Sequence, residues 1–443
     1  MLALVDVNNM YVSCERVFRP ALVGCPVVVL SHNDGVCVAR SNEAKDLGVG
    51  MAQPWFQVRH LQRSAGLVAL SANFELYGDM SNRMMTLAAA YAPRQEIYSI
   101  DECFLDFAGV RGDLTRIGRA LRAQVLQWTG LPTSVGLAST RTLAKLANHV
   151  AKTADRKPGS YPSALAQVCN FDRLSAAQLE AVMAATEVGA VWGIGRKTSA
   201  KLLDRGIRTV LDVLRADAVA LRRPFSVMLE RTRRELRGEP CLGLDELPES
   251  NQQIMCSRTF GEPVTSLAVL TESVSQFAAR VAEKLRAQRS VAGALQVFLS
   301  TSPFRTQDRQ HSPSATLRLV PASADTRRLA AAAARTLEAM FRPGHRYVKA
   351  GVVLVDLQPQ GRAACVPDLF GDDTAQPVPR RDGARLMGTM DALNQRFGRG
   401  AVDLASAARP PRRAAAPPAS IGRQQMRSPR YTTRLDEVIT VRC

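Results

Sequence analysis

The first 165 residues alternate between short apolar runs and longer segments in which polar and apolar residues are mixed. Short apolar runs are typical of buried strands, whereas mixed segments with one apolar face are typical of helices. On this pattern we predict strands at 2–5, 26–30, 97–107 and 133–137, and helices at 80–91, 114–128 and 142–152. Such an alternation indicates an α/β or α+β domain.

The rest of the chain divides into three further regions. Residues 166–243 are predicted to be all-helical with short loops. Residues 245–356 combine a predicted strand at 293–300, an Ala-rich helix at 326–341 and a closing strand at 349–356. From 357 to 443 Pro and Arg dominate, and 410–418 carries too little apolar surface to fold alone. The last region is therefore expected to be partly a linker.

Charge changes this picture most. Lys and Arg total 58 against 40 acidic residues, which gives a net charge of +18. An excess of that size indicates a polyanionic partner, and nucleic acid is the commonest one. An acidic membrane surface is less favoured, because no basic amphipathic helix with an apolar face stands out.

The expected location is cytoplasmic, with association to the nucleoid through DNA. No apolar stretch approaches the length of a membrane span, and Asp6 interrupts any signal-peptide core. The nine cysteines include no CxxC pair, which argues against a zinc site or a disulfide framework and favours a reducing compartment.

Two acidic sites interrupt apolar runs. Asp6 ends the run at 2–5, and Asp101 and Glu102 lie inside the run at 97–107. Carboxylates on adjacent strands, with no His or Cys close by, suit Mg²⁺, and paired ions of this kind serve phosphoryl transfer. The alternative is that Asp6 caps a turn and the acidic pair forms the tip of a solvated hairpin.

A basic stripe follows the strand at 133–137. Arg141, Lys145, His149 and Lys152 recur at three- and four-residue steps on one face of the predicted helix, with apolar residues on the other. The stripe is either a solvated face or, beside a metal site, a clamp for a triphosphate.

Two shorter patterns lie near the N-terminus. Tyr11 follows Asp6 closely, and its ring either packs in the core or lies against the sugar of a bound nucleotide. Arg40 and Lys45 flank a loop that enters a helix, and they either reach phosphates or face solvent.

A glycine pair separates two predicted helical stretches. Gly193-Ile194-Gly195 is similar to a helix-hairpin-helix motif, in which glycines let backbone N–H groups approach a DNA phosphate. Lys197 and Lys201 follow it and favour DNA binding, although such a turn is often only a tight connection.

Together these motifs resemble those of Y-family translesion DNA polymerases. The resemblance rests on the stretches 6–11, 13–15, 98–102, 134–138, 143–147 and 193–195, which occur in the family's order. Within the family the chain resembles the UmuC type, the catalytic subunits of bacterial DNA polymerase V, with MucB- and RulB-type relatives. That narrower likeness is carried by 33–35, 147–149, 227–232, 237–241 and 428–434.

The resemblance implies a multidomain α+β fold shaped like a right hand. Residues 1–165 would form the palm and small fingers, with the fingers at about 11–72, and 166–243 the helical thumb with the helix-hairpin-helix. Residues 245–356 would form an α/β little finger that binds DNA, and 357–443 a tail that binds partners.

The resemblance also implies a catalytic site. Asp6, Asp101 and Glu102 would be catalytic and, with the Val7 carbonyl, would hold two Mg²⁺ ions. Tyr11 would exclude the ribose 2′-OH.

Other implied contacts surround this site. Asn42, Lys45 and Lys152 would contact the nucleotide, although Asn42 stands where other branches carry Tyr. The hairpin glycines, Lys197 and Lys201 would contact DNA.

The implied reaction is the error-prone addition of dNTPs to a primer 3′ end opposite damaged template, in the SOS response. Implied partners are primer-template DNA, a processed UmuD dimer, a RecA filament and the sliding clamp. The clamp peptide would use Leu369 and Phe370, although the Gln that normally begins it is missing here.

Two other interpretations start from the same residues. In a two-metal nuclease the carboxylates would activate water, and in a non-enzymatic DNA-binding scaffold they would be structural. Tyr11 and the basic helix ending at Lys152 favour a nucleotide triphosphate as substrate.

Overall fold

The computed structural model describes residues 1–217, 225, 227–244, 250–360, 383–398, 400–403 and 424–438. These residues belong to two compact units. The first comprises Met1–Pro248 together with Gln424–Cys443, and the second comprises Glu249–Arg423. Within the described ranges, no helix is long and apolar enough to cross a membrane.

The first unit is built on a five-stranded sheet. Its strands are β1 (Leu2–Val7), β5 (Arg94–Ile97), β6 (Glu102–Asp106), β7 (Thr133–Ala138) and β8 (Val168–Asn170), in the order β5-β6-β1-β7-β8. β1 pairs antiparallel with both β6 and β7, so it is the central strand. A strand flanked on both sides and covered on both faces is apolar throughout, which explains the run at 2–5.

Alternate residues of β1 enter two different cores. Ala3 and Val5 pack with α1 (Met10–Phe18), α5 (Phe74–Ala89) and α6 (Leu114–Thr129). Leu4 packs instead against α7 (Arg141–Arg156) on the opposite face. Because side chains alternate along a strand, Asp6 lies on the α7 face together with Leu4.

Helix α7 approaches the sheet unusually closely at one position. A Cβ built at Gly136 in β7 would lie 2.2 Å from the amide nitrogen of Asn148 and 2.3 Å from the carbonyl oxygen of Ala144. The side chain of Asn148 donates hydrogen bonds to the Ser134 and Leu4 carbonyls, at 2.9 and 3.4 Å. Only glycine at 136 permits this approach.

The chain between α1 and α5 forms a small three-stranded sheet. It contains β2 (Val27–Leu30), β3 (Cys37–Arg40) and β4 (Val68–Ser71), in the order β3-β2-β4, with β2 and β4 parallel. Three short helices accompany it: α2 (Asn42–Asp46), α3 (Trp55–Val58) and α4 (Leu61–Ala65).

A helical region follows the main sheet. It contains α8 (Ala176–Ala185), a 3₁₀ turn (Val188–Ala190), α9 (Arg196–Leu203), α10 (Val210–Arg215) and α11 (Val227–Leu236). Its apolar residues share a core with α7.

The second unit is an antiparallel sheet covered by helices. Its strands are β9 (Ile254–Val264), β10 (Ser290–Thr301), β11 (Ser314–Ser323) and β12 (Tyr347–Pro359), in the order β11-β10-β12-β9. Two helices, α12 (Leu267–Ala287) and α13 (Thr326–Met340), pack on it in one core. A further helix, α14 (Gly383–Phe397), joins α12 through Arg286, whose guanidinium makes two 2.6 Å bonds to Asp391.

The α+β class expected from the sequence is confirmed, but some elements differ. The predicted strand at 97–107 is wrong, because a turn at 98–101 divides it into β5 and β6. The helix expected at 80–91 begins at Phe74, where the Asn73 side chain caps it by accepting from the Leu76 amide. Strand β8 lies within the region expected to be all-helical, and β9, α12 and β11 were not predicted.

Candidate active site

Three carboxylates meet at one end of the central strands. Asp6 lies directly opposite Glu102 in the β1–β6 register. Asp101 occupies the turn that precedes β6, and its carbonyl accepts a 2.8 Å hydrogen bond from the Val7 amide. Its carboxylate accepts a 2.6 Å hydrogen bond from the Ser99 hydroxyl. The two acidic sites separated by 95 positions in sequence are therefore neighbours, and Asp101 is also part of a hairpin tip.

Lysines of α7 face this acidic group. Nζ of Lys152 lies 2.5 Å from Oδ1 of Asp6, and Nζ of Lys145 lies 2.8 Å from Oε1 of Glu102. Burial raises the pKa of Asp6 to about 6, an effect that Lys152 partly offsets and that the nearby Asp101 and Glu102 charges reinforce. Much of the basic stripe on α7 is thus directed at the carboxylates.

The other two members of the stripe are placed differently. Arg141 is buried and donates 2.6 Å hydrogen bonds to Glu96 Oε1 and to the Gly243 carbonyl, so it joins α7 to β5 and to the chain after α11. His149 is half-buried, and burial followed by the charge of Lys152 lowers its pKa. A solvated face is therefore the wrong interpretation for Arg141.

The donor atoms at this site suit a hard cation. Within the described ranges, no group of three or more His, Cys, Asp or Glu residues is already arranged around a metal position. Nevertheless Asp6 Oδ1 is a buried oxygen, and its partner among the described residues is a cation, the Lys152 ammonium at 2.5 Å. Buried oxygens normally have a hydrogen-bond donor or a cation as partner, and carboxylate oxygens are what Mg²⁺ prefers.

Tyr11 lies in the first turn of α1, beside this group. Its ring stacks on Tyr77 at a centroid distance of 4.5 Å and an interplanar angle of 13°, and it meets the edge of Phe74 at 5.9 Å. Burial, followed by the charge of Asp101, raises the pKa of its phenol. The ring is therefore packed on one side while its phenol feels the charge of Asp101, so it combines features of both interpretations.

A polar network links α1 to α2. Lys45 Nζ donates to Asn9 Oδ1 at 2.6 Å, and Asn9 Nδ2 donates to Asn42 Oδ1 at 3.1 Å. Burial, followed by the charges of Arg156, Arg40 and Lys152, lowers the pKa of Lys45 to about 8. By contrast Arg40 donates to the Val49 carbonyl at 2.7 Å.

A basic cavity of about 540 Å³ joins this network to α7. Its lining includes Asn9, Lys45, Lys152 and Arg156. Sequence reasoning missed two of these residues. Arg156 continues the stripe four residues beyond Lys152, which was a usable signal. Asn9 has a left-handed backbone with φ of 51°, and nothing local marked its side chain as part of the cavity.

The glycine hairpin is exposed and anchored by its middle residue. Gly193 has φ of +89° and Gly195 is the N-cap of α9, while Ile194 between them is buried. Lys197 and Lys201 are exposed on α9. The element just before the hairpin is the 3₁₀ turn rather than a full α-helix.

Two aromatic residues that sequence reasoning missed connect the hairpin to the carboxylates. Trp192 meets the edge of Tyr98 at 5.8 Å. The ammonium of Lys145 lies 4.1 Å from the Tyr98 ring centroid and 5.0 Å from that of Trp192. A cation over aromatic faces is electrostatically favoured. Lys145, which pairs with Glu102, therefore also contacts Trp192, the residue that precedes the hairpin. The expected clamp residues, Leu369 and Phe370, lie outside the described residues.

Comparisons with known proteins match most of the length of the chain. The profile of the impB/mucB/samB family matches residues 5–149, the C-terminal domain of that family matches 251–364, and a domain of unknown function matches 384–441. Protein UmuC of Salmonella typhimurium is 44% identical over 444 residues, which cover 100% of both chains. Protein ImpB of Salmonella typhimurium is 41% identical over 99% of each chain.

More distant matches extend the comparison to named polymerases. DNA polymerase IV of Alkalilimnicola ehrlichii is 31% identical over 298 residues, which cover 65% of this chain and 78% of that one. A solved Y-family DNA polymerase chimera superposes with a TM-score of 0.63 and 18% identity, covering 80% of this chain and 98% of that chain. The structural match concerns the fold, since identity is low.

Proposed function

The chain belongs to the impB/mucB/samB family and has a Y-family polymerase fold, and from this premise we propose the reaction that its site performs. The protein is a DNA-directed DNA polymerase that carries out translesion synthesis in the response to DNA damage, adding dNTPs to a primer 3′ end. The observation that carries the proposed chemistry is the convergence of Asp6, Asp101 and Glu102 beside a basic cavity.

Asp6, Asp101 and Glu102, with the Val7 carbonyl, would hold two Mg²⁺ ions. When bound, such ions lower the pKa of the primer 3′-hydroxyl and neutralise the charge of the leaving pyrophosphate. The placement of Asp6 opposite Glu102, with Asp101 in the adjoining turn, supports this assignment.

The lysines of α7 would act in two states. In the free protein Lys152 and Lys145 neutralise Asp6 and Glu102, so the acidic group does not repel itself. With a nucleotide bound, Lys152 would turn to the triphosphate, since it also lines the basic cavity with Lys45 and Arg156. Asn42 would position Lys45, both through Asn9 and through its own 3.4 Å contact with the ammonium, rather than contact phosphate itself.

Tyr11 would exclude ribonucleotides. Its ring is supported by Tyr77 on one face and by Phe74 at the edge, so it has little room to retreat from a ribose 2′-OH. A steric contact discriminates only when the group that makes it is held in place. This packing supports the steric role over simple core filling.

DNA binding would use the hairpin. Gly193 and Gly195 are exposed, so backbone N–H groups at the start of α9 are open to a phosphate, and Lys197 and Lys201 lie on the same helix. A processed UmuD dimer, a RecA filament and the sliding clamp, through Leu369 and Phe370, remain predictions from the family resemblance. Location at the nucleoid remains a prediction as well.

Primer extension with and without Mg²⁺, beside cleavage of end-labelled DNA, tests the polymerase against the nuclease. We expect Mg²⁺-dependent extension without cleavage. Asp101→Asn and Glu102→Gln should abolish extension while leaving equilibrium DNA binding nearly unchanged, because the basic DNA surface is intact. Asp106→Asn is the matched control, since it removes a carboxylate from the far end of β6. Normal extension by Asp101→Asn would refute the assigned site.

A further inference from the structure

The C-terminal segment 424–438 packs on the same unit as the candidate active site. It belongs to the region that matches a domain of unknown function. The Ser71 amide donates to the Met426 carbonyl at 3.0 Å, and the Met426 amide donates to the Ser71 hydroxyl at 3.0 Å. Arg427 forms a parallel bridge with Ser71. The segment therefore continues the edge of the three-stranded sheet at the end of β4.

Ser428 is the most deeply placed residue of this segment. It is buried, and its hydroxyl donates a 2.9 Å hydrogen bond to Oε1 of the fully buried Glu15. The Asn73 side-chain amide donates to the Ser428 hydroxyl at 3.0 Å and to the Pro429 carbonyl at 2.9 Å. One serine thus contacts α1, through Glu15, and the residue that caps α5.

Glu15 depends on this arrangement. The Tyr77 hydroxyl donates to the same Oε1 at 2.7 Å, while Oε2 accepts no hydrogen bond from the described residues. Burial raises the pKa of Glu15, and the hydrogen bonds from Tyr77 and Ser428 oppose that effect. A buried carboxyl with two donors becomes poorly satisfied when one is removed, and such groups tend to shift to find another partner.

Two further contacts join the C-terminal segment to the same pair of helices. Tyr431 stacks on Phe18 of α1, with centroids 4.7 Å apart and planes 8° from parallel. Arg430 pairs with Glu75 of α5 at 2.8 Å. The segment therefore holds α1 and α5 together, and these are the helices that carry Tyr11 and its stacking partner Tyr77.

We propose that residues 424–438 brace the nucleotide pocket, and that Ser428 is a positioning residue that acts on Tyr11 through Glu15 and Tyr77. This role rests on the proposed function of Tyr11 in excluding ribonucleotides. The ring of Tyr11 stacks on Tyr77 at 4.5 Å, so a shift of Tyr77 moves the surface against which Tyr11 is held. Displacements of about 1 Å change selectivity in tightly packed sites. The brace gives the C-terminal region a function inside the polymerase unit.

The test measures the ratio of dCTP to rCTP incorporation opposite template dG by the full-length chain, together with the thermal midpoint of each variant. Ser428→Ala removes one donor to Glu15, and Tyr77→Phe removes the other while keeping the stacked ring. Thr433→Ala is the matched control, because it removes an exposed hydroxyl from the same segment. We expect each donor variant to lower the ratio of dCTP to rCTP incorporation about five-fold, because each removes one hydrogen bond to Glu15. The control should leave the ratio unchanged.

A double variant separates this role from general loosening. Tyr11→Ala alone should lower the ratio further than Ser428→Ala, and adding Ser428→Ala to it should change the ratio no more. An unchanged ratio in both Ser428→Ala and Tyr77→Phe, with Tyr11→Ala effective, would overturn the brace and leave the function of Tyr11 intact. A full further loss in the double variant would overturn it as well, because Ser428 would then not act through Tyr11. No effect of Tyr11→Ala would refute the steric role itself.

Discussion

Gly136→Ala should damage the active site through the sheet rather than through any reacting group. The added Cβ would lie 2.2 Å from the Asn148 nitrogen and 2.3 Å from the Ala144 oxygen, both atoms of the α7 backbone. Backbone atoms cannot rotate away as a side chain can, so α7 must move from β7 by about 1 Å to reach an ordinary contact. Forced expansion of a packed core costs about 1–3 kcal/mol, and we expect the upper end of that range.

The same displacement should reduce catalysis. Helix α7 carries Lys145 and Lys152, whose ammonium groups lie 2.8 and 2.5 Å from Glu102 and Asp6. A shift of about 1 Å in a site of this kind costs about 10²-fold in rate. We therefore expect nucleotide addition by Gly136→Ala to fall about 100-fold, with DNA binding retained, because the hairpin lies on other elements.

Urea unfolding and single-nucleotide incorporation measure the two effects. Gly78→Ala is the matched control, since Gly78 lies within α5 and a Cβ there meets nothing within 4 Å. That substitution should stabilise the protein by about 0.8–1 kcal/mol through helix propensity and leave incorporation unchanged. If Gly136→Ala unfolds at the wild-type urea midpoint and incorporates nucleotide at the wild-type rate, the close approach of α7 does not position the site.

Three further outcomes follow from the site. Tyr11→Ala should raise ribonucleotide incorporation relative to deoxyribonucleotide by a factor in the tens, since a steric contact of this kind is worth about 1–3 kcal/mol; equal ratios in single-nucleotide kinetics would leave Tyr11 as core packing. Changing Lys197 and Lys201 to Ala should lower the slope of log affinity against log salt by about one to two and leave base selection intact; an unaltered slope would remove the hairpin from the DNA surface. Lys45 loses its proton as pH rises through about 8, so the KM for dNTP should rise above that pH, and Lys45→Arg should lack this rise; a KM independent of pH in the wild type would contradict a phosphate contact.

The sequence alone determined the elements whose signal is local. The runs at 2–5 and 133–137 became β1 and β7, because strands buried on both faces are largely apolar, although β7 also buries Thr133 and Ser134. The helix predicted at 142–152 became Arg141–Arg156, with its apolar face in the core. The family resemblance also rested on local features, namely this helix after its strand, the acidic residues and the glycine hairpin. The comparisons confirm that resemblance.

Only the tertiary structure decided which residues meet. The register that sets Asp6 opposite Glu102 depends on hydrogen bonds between strands about 95 residues apart, and no local pattern encodes it. Arg141 belongs to the basic stripe by spacing, yet it is buried against Glu96 because that position of α7 packs over β5. Asn73 and Ser428 are 355 residues apart and share a hydrogen bond. Periodicity reports which face of an element is buried, whereas the partner on that face is set by how distant parts of the chain pack. The candidate active site and the proposed brace are both made of such contacts.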